Sequence, residues 1–126
     1  MPIHRSRGLV ALGVVSLVVL AALLGLARGG AEAATTLRLS ADSDGDLRFN
    51  KESLSTEPGR VTIRMKNPSG SGIEHGIAVT GKGDGETASP GETATIRVRL
   101  REGRYTFYCP VGSHRSAGMR GSLRVR

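Results

Sequence analysis

Beyond residue 33 the chain reads in twos. Leu37, Leu39 and Ala41 alternate with Arg38 and Ser40; Val61, Ile63 and Met65 with Thr62, Arg64 and Lys66; Ala94, Ile96, Val98 and Leu100 with Thr95, Arg97 and Arg99. A period of two marks a strand with one face buried. Shorter runs at Leu47–Phe49, Ser53–Thr56, Ile73–Thr80, Tyr105–Cys109 and Gly121–Val125 read as further strands. Turn signals separate them: Glu57-Pro58-Gly59, Asn67-Pro68-Ser69-Gly70-Ser71-Gly72 and Glu102-Gly103. The stretch from Gly81 to Gly91, with its glycines and Pro90, reads as a loop. No window carries sustained helical periodicity. The pattern predicts an all-β fold, two sheets packed face to face, with about seven or eight strands.

The first 33 residues do not share this pattern. His4, Arg5 and Arg7 precede an uncharged run from Leu9 to Ala27; Arg28 ends it, and Ala31-Glu32-Ala33 follows. A basic start, an apolar middle and a small-x-small exit make a secretory signal. The run has 19 residues, and as a helix it would cover roughly 28 Å, close to a bilayer core. Residues 1–33 are therefore read as a signal peptide or a retained N-terminal membrane anchor. Both readings, and the positive-inside rule, export residues 34–126 as one small domain.

Charge narrows the partners. The chain carries +7 overall, and beyond residue 33 fifteen Lys and Arg face ten Asp and Glu. An exported domain meets nucleic acid only rarely, so the basic balance points to an acidic protein partner or an anionic membrane surface, or is ordinary solubility charge. Nothing in the pattern calls for a second copy, and a monomer is expected. The acidic turn Asp42-Ser43-Asp44-Gly45-Asp46 has no Glu at its twelfth position and no flanking helix, which argues against a calcium loop.

The chemistry is concentrated in one loop. Cys109 is the lone cysteine; four residues separate it from His114, and four more separate His114 from Met119. A lone cysteine in an exported chain cannot close an internal disulfide and reads as a reactive thiol, an intermolecular bridge or a ligand. Individually, a histidine, a cysteine and a methionine are usually surface or packing residues. Together they are a thiolate, an imidazole and a thioether, donors that favour copper. A trigonal copper site of this kind needs one more histidine. Beyond His4 the chain offers only His75, near the start of a predicted strand. The candidate metal ligands are therefore His75, Cys109, His114 and Met119, with Met65 left in phase with the core. Zinc prefers four strong donors, and a thioether is a poor one. Haem attachment and iron–sulfur ligation are excluded by cysteine count.

The segment Gly103-Arg104-Tyr105-Thr106-Phe107-Tyr108-Cys109, with His114 and Met119-Arg120-Gly121-Ser122-Leu123-Arg124-Val125, resembles the end of a cupredoxin, the blue (type 1) copper family of plastocyanin. The four-residue gap between Cys109 and His114 looks more like that of rusticyanin and auracyanin. Asn67-Pro68 and His75 resemble the family's upstream ligand loop. The resemblance covers residues 36–126. It implies a cupredoxin-type Greek-key sandwich holding one copper ion, with His75, Cys109 and His114 equatorial and Met119 axial. It also implies a structural hydrogen-bonding corner at Tyr105 and an exposed Tyr108 beside the cysteine. Two departures stand out. Gly76 occupies the place where the family often has Asn, and Val111-Gly112-Ser113-His114 replaces the common Val-Pro-Gly-His.

The implied function is a one-electron carrier. His114 would be the portal to redox partner proteins, within an apolar patch of Pro110, Val111 and Ala117, and Arg115 and Arg120 would steer partners that are acidic. An exported copper buffer or chaperone is the competing reading. An enzyme is disfavoured, because copper nitrite reductases and multicopper oxidases need further histidine-rich sites, and the domain has no histidine to spare.

Overall fold

The alternation becomes eight strands in a computed structural model, which describes residues 34–126. Residues 1–33, on which the expected signal peptide or membrane anchor falls, lie outside the described residues. The strands are β1 Thr35–Ser40, β2 Ser53–Thr56, β3 Gly59–Lys66, β4 His75–Val79, β5 Glu86–Ala88, β6 Thr93–Leu100, β7 Gly103–Tyr108 and β8 Arg120–Val125. One sheet has three strands in the order β1-β3-β6, the other five in the order β2-β8-β7-β4-β5. This is the expected two-sheet sandwich. β1 runs parallel to β3 and β2 parallel to β8, while the other pairings are antiparallel.

Register follows the hydrophobic set, because a one-residue slip would turn every inward side chain outward. Ile63 stands between Leu37 and Ile96 across the three-stranded sheet. Val61, Ile63, Met65 and Leu100 meet Phe107, Leu123 and Val125 of the other sheet in a single buried cluster. Met65 is wholly buried, a core side chain as its phase implied. The Phe49 and Phe107 rings pack tilted, 5.5 Å between centroids, in the geometry aromatic quadrupoles favour.

Two expectations fail, each for a local reason. Leu47–Phe49 is not a strand; Phe49 forms only an isolated bridge to Ala41. The acidic turn before it captures Arg48, whose guanidinium lies 2.9 Å from Asp42 and 3.5 Å from Asp46. Its backbone also closes a tight turn onto Asp46. Conversely, the stretch read as a loop contains β5, which pairs with the start of β4 through His75 and Ala88. Only Ala88 of β5 is buried, so no alternation could reveal it.

The strand ends decide where the site sits. Register and the short β6–β7 turn place Thr35, Gly59, Leu100, Gly103 and Val125 at one end of the sandwich. Lys66, Thr93, Tyr108 and Arg120 lie at the other. Gly121 allows β8 to pass beside the core at that second end. A Cβ there would stand 2.1 Å from Phe107 Cζ and 2.6 Å from the Glu52 carbonyl. At the first end the Tyr105 hydroxyl donates to the Arg101 carbonyl at 3.0 Å, the corner the resemblance implied.

Candidate metal centre

Cys109 follows directly on β7, and Met119 directly precedes β8. The intervening loop folds on its own backbone. His114 N–H donates to the Val111 carbonyl, Ala117 N–H to Ser113 and Gly118 N–H to Arg115. Met119 N–H donates to the His114 carbonyl at 3.0 Å, and Cys109 N–H to the Met119 carbonyl at 3.0 Å. The β7–β8 pairing of Tyr108 with Arg120 continues this closure into the sheet. The loop therefore holds both its ends at one hydrogen-bond spacing and presents His114 between them.

His75 arrives from the other direction, at the first position of β4. Its loop is braced by Asn67, a fully buried side chain. The Asn67 amide donates to the carbonyls of Ile73 at 2.8 Å and Ala88 at 2.9 Å, and its Oδ1 accepts from the Ser71 hydroxyl at 2.6 Å. The Asn67 backbone bonds Glu92 and Gly91 as well. The sequence places Asn67 in a turn and, by resemblance, in the upstream ligand loop, but not as its brace; a polar residue that breaks a clean strand just ahead of a ligand loop is the available signal.

Three of the four candidates converge. The ligand atoms of His75, Cys109 and His114 all lie within 4.8 Å of one another. Cys109 Sγ is 3.5 Å from His114 Nδ1, and the two imidazole rings stand 5.2 Å apart at 56°. His75 and Cys109 are fully buried, and His114 is half-buried. Met119 is fully buried at the loop's far end, backbone-bonded to both Cys109 and His114.

Neither ring nitrogen of His75 has a hydrogen-bond partner, although both are buried. Such orphaned groups are rare, because each forfeits its hydration without compensation. A metal ion accounts for one of them chemically. The electrostatics agree. Burial first, then the neighbouring His114 ring, holds the His75 imidazole below its usual range, in the neutral form that ligates. Burial pushes the Cys109 thiol above its usual range, while the backbone N–H groups of Val111 and Gly76 pull the other way. Gly76 N–H donates to Cys109 Sγ at 3.2 Å. That bond links the two ligand segments where the family often uses Asn. A side chain at 76 is not accommodated, since a Cβ would stand 2.5 Å from the Glu86 carbonyl and 3.0 Å from Pro110 Cδ. The departure at Gly76 is thus a consequence of the close approach of β5.

Tyr108 is not the open surface ring the resemblance implied. It is half-buried beneath Arg115, whose guanidinium lies 3.9 Å from the ring centroid and donates to Thr80 Oγ1 at 3.2 Å. Pro110 and Val111 are half-buried and Ala117 exposed beside His114. Ile73, 40% exposed and two residues ahead of His75, is the one exposed large hydrophobic side chain among the described residues, and sequence reading did not single it out.

Residues 35–126 match the family described as copper binding proteins, plastocyanin/azurin family. Among solved structures, auracyanin B is similar with a TM-score of 0.67 at 22% identity, over 76% of this chain and 91% of that one. Auracyanin A, a blue copper protein from Chloroflexus aurantiacus, is similar with a TM-score of 0.60 at 23% identity, over 75% of this chain and 100% of that one. A copper nitrite reductase from Nitrosomonas europaea shares the fold with a TM-score of 0.59 at 19% identity, over 74% of this chain and 41% of that one. No curated protein matches the sequence.

Proposed function

The chain belongs to the plastocyanin/azurin family of copper-binding proteins, and on that premise we propose that it is an exported one-electron carrier. His75, Cys109, His114 and Met119 would hold the copper ion. The observation that carries this reading is the buried His75 ring, both nitrogens without a partner, beside Cys109 Sγ and His114 Nδ1. The blue copper protein among the similar structures supports it, and the basic start and uncharged run of residues 1–33 support export.

Bound copper supplies one electron per cycle by alternating between two oxidation states. The chain's residues keep the cost of that exchange low. The self-bonded loop from Cys109 to Met119 and the Asn67 brace fix the donors before and after the electron moves, so little reorganisation accompanies it. The Gly76 N–H bond draws negative charge from Cys109 Sγ, which favours the reduced state. Burial of His75, Cys109 and Met119 excludes water and leaves the half-buried His114 edge as the portal. With these histidines assigned to one site, the domain transfers electrons and transforms no substrate.

Voltammetry of copper-loaded protein, before and after addition of a copper chelator, tests this. A reversible one-electron wave that survives the chelator is expected. Copper that passes to the chelator on mixing, with no reversible wave, would establish a copper buffer instead.

A further inference from the structure

The three-stranded sheet carries a surface of unusual composition at its outer face. Arg38 of β1, Arg60 and Arg64 of β3, and Arg97 and Arg99 of β6 are all exposed there, interleaved with Thr36, Thr62 and Thr95. No Asp or Glu occurs in any of the three strands; Glu57, Glu92 and Glu102 lie beyond their ends. Register sets like charges side by side in the middle of the face, where Arg38 is the partner of Arg64. Like charges directly opposite destabilise a sheet, so folding alone gives no reason for that pair.

The face has a definite place in the molecule. Arg60 and Arg99 sit at the strand ends remote from the candidate metal centre, where β1 begins. Arg60, Thr62, Arg97 and Arg99 line a groove of about 490 Å³ together with Ala34, the first described residue. In sequence, only residues 28–33 separate Ala34 from the uncharged run 9–27. The chain thus enters the sheet at its arginine-rich end, directly after the one stretch whose composition suits a bilayer.

We propose that this face docks on an anionic phospholipid surface. Arginine forks and threonine hydroxyls are donors matched to phosphate oxygens. A flat field of one sign suits a charged plane, whose potential draws in basic residues within about 10 Å at ordinary salt. Docked by this face, the strands lie along the surface, and the metal centre sits beyond their Lys66 and Thr93 ends, at the side of the docked domain, where a diffusing partner can reach it. The inference does not depend on how the centre functions.

The exported protein, whatever its N-terminus, is mixed at low salt with vesicles of neutral phosphatidylcholine or of phosphatidylcholine with phosphatidylglycerol. Its arginines are then modified with phenylglyoxal and read by mass spectrometry. Reading exposure rather than sedimentation keeps the test valid if an anchor binds both vesicles. On anionic vesicles Arg38, Arg64 and Arg97 are expected to be protected several-fold, with Arg115 and Arg120 unchanged. Protection should vanish in 0.5 M salt, by screening. In the R38Q/R64Q/R97Q variant, the protection left at Arg60 and Arg99 should fall several-fold, since each basic residue near such a surface is worth about fivefold in partitioning. Equal labelling on both vesicles, or protection centred on Arg115 and Arg120, would overturn the proposal. Protection by an oligoglutamate peptide but not by anionic vesicles would also overturn it, in favour of an acidic protein.

Discussion

The two halves of the metal centre are held by different means. Cys109, His114 and Met119 share one loop whose hydrogen bonds run mostly within itself, between neighbours a few residues apart. His75 is placed by a loop that bonds only partly within itself, from Ser71 to the Pro68 and Ile73 carbonyls. It depends on the Asn67 side chain, which reaches Ser71, Ile73 and Ala88 across as many as 21 residues. One half is local and written into consecutive residues; the other is tertiary. Gly76 joins them with a single N–H donated to Cys109 Sγ. The halves should therefore fail in different ways when broken.

Breaking the local half at its donor has the largest effect. Cys109→Ser removes the thiolate while leaving β7 and β8 paired, so the domain should stay folded and lose its visible copper absorption entirely. Absorption and far-ultraviolet circular dichroism on the same sample check both points.

Breaking the tertiary half costs stability before spectrum. Asn67→Leu takes the amide donor from the buried Ala88 carbonyl and leaves the Ile73 carbonyl and the Ser71 hydroxyl only their bond to each other, a loss of about 2 kcal/mol. Denaturant unfolding of the apoprotein should show it. Ser116→Ala, which removes an exposed hydroxyl bonded to the Ser113 carbonyl within the local loop, should cost under about 1 kcal/mol. Equal losses would erase the distinction between the halves.

Gly76→Ala probes the joint. Its Cβ meets the Glu86 carbonyl, so β5 or the N–H to Sγ contact must shift, and the copper absorption should move while metal is still bound. Gly112→Ala, with nothing within 4 Å of the added carbon, should leave the band in place, although its φ of +45° costs about 1 kcal/mol of stability.

Acid and base sharpen the comparison last. In the apoprotein the folded His75 binds its proton less readily than the unfolded chain does. Stability should therefore fall as pH drops below the ordinary imidazole value of about 6.5. Cys109 holds its proton more tightly folded than unfolded, so stability should also fall as pH rises past the ordinary thiol value of about 8.5. Thermal melts across this range are expected to peak between the two. A peak outside that interval would show that burial does not govern these groups.

This division also explains what was legible in the sequence. The long strands announced themselves, since β3 and β6 alternate without interruption. Cys109, His114 and Met119 could be read from spacing, because the loop that groups them is continuous. His75 is reached by counting histidines and by family resemblance rather than by spacing, and Asn67 is not legible as a brace, because its bond to Ala88 joins segments that only folding brings together. β5 escaped for a related reason: a short, exposed edge strand is specified by β4 rather than by its own residues. Leu47–Phe49 misled because alternation says nothing of the ion pair that bends Arg48 onto Asp42.

The central claim is that His75, Cys109 and His114, drawn from two separately held halves, close on one copper ion. Visible and electron paramagnetic resonance spectroscopy of the copper(II)-loaded protein tests it most directly. The account predicts an intense sulfur-to-copper charge-transfer band and a narrow copper hyperfine splitting, both abolished in Cys109→Ser and both altered in His75→Ala. A weakly coloured copper(II) signal, unchanged by loss of either side chain, would contradict it.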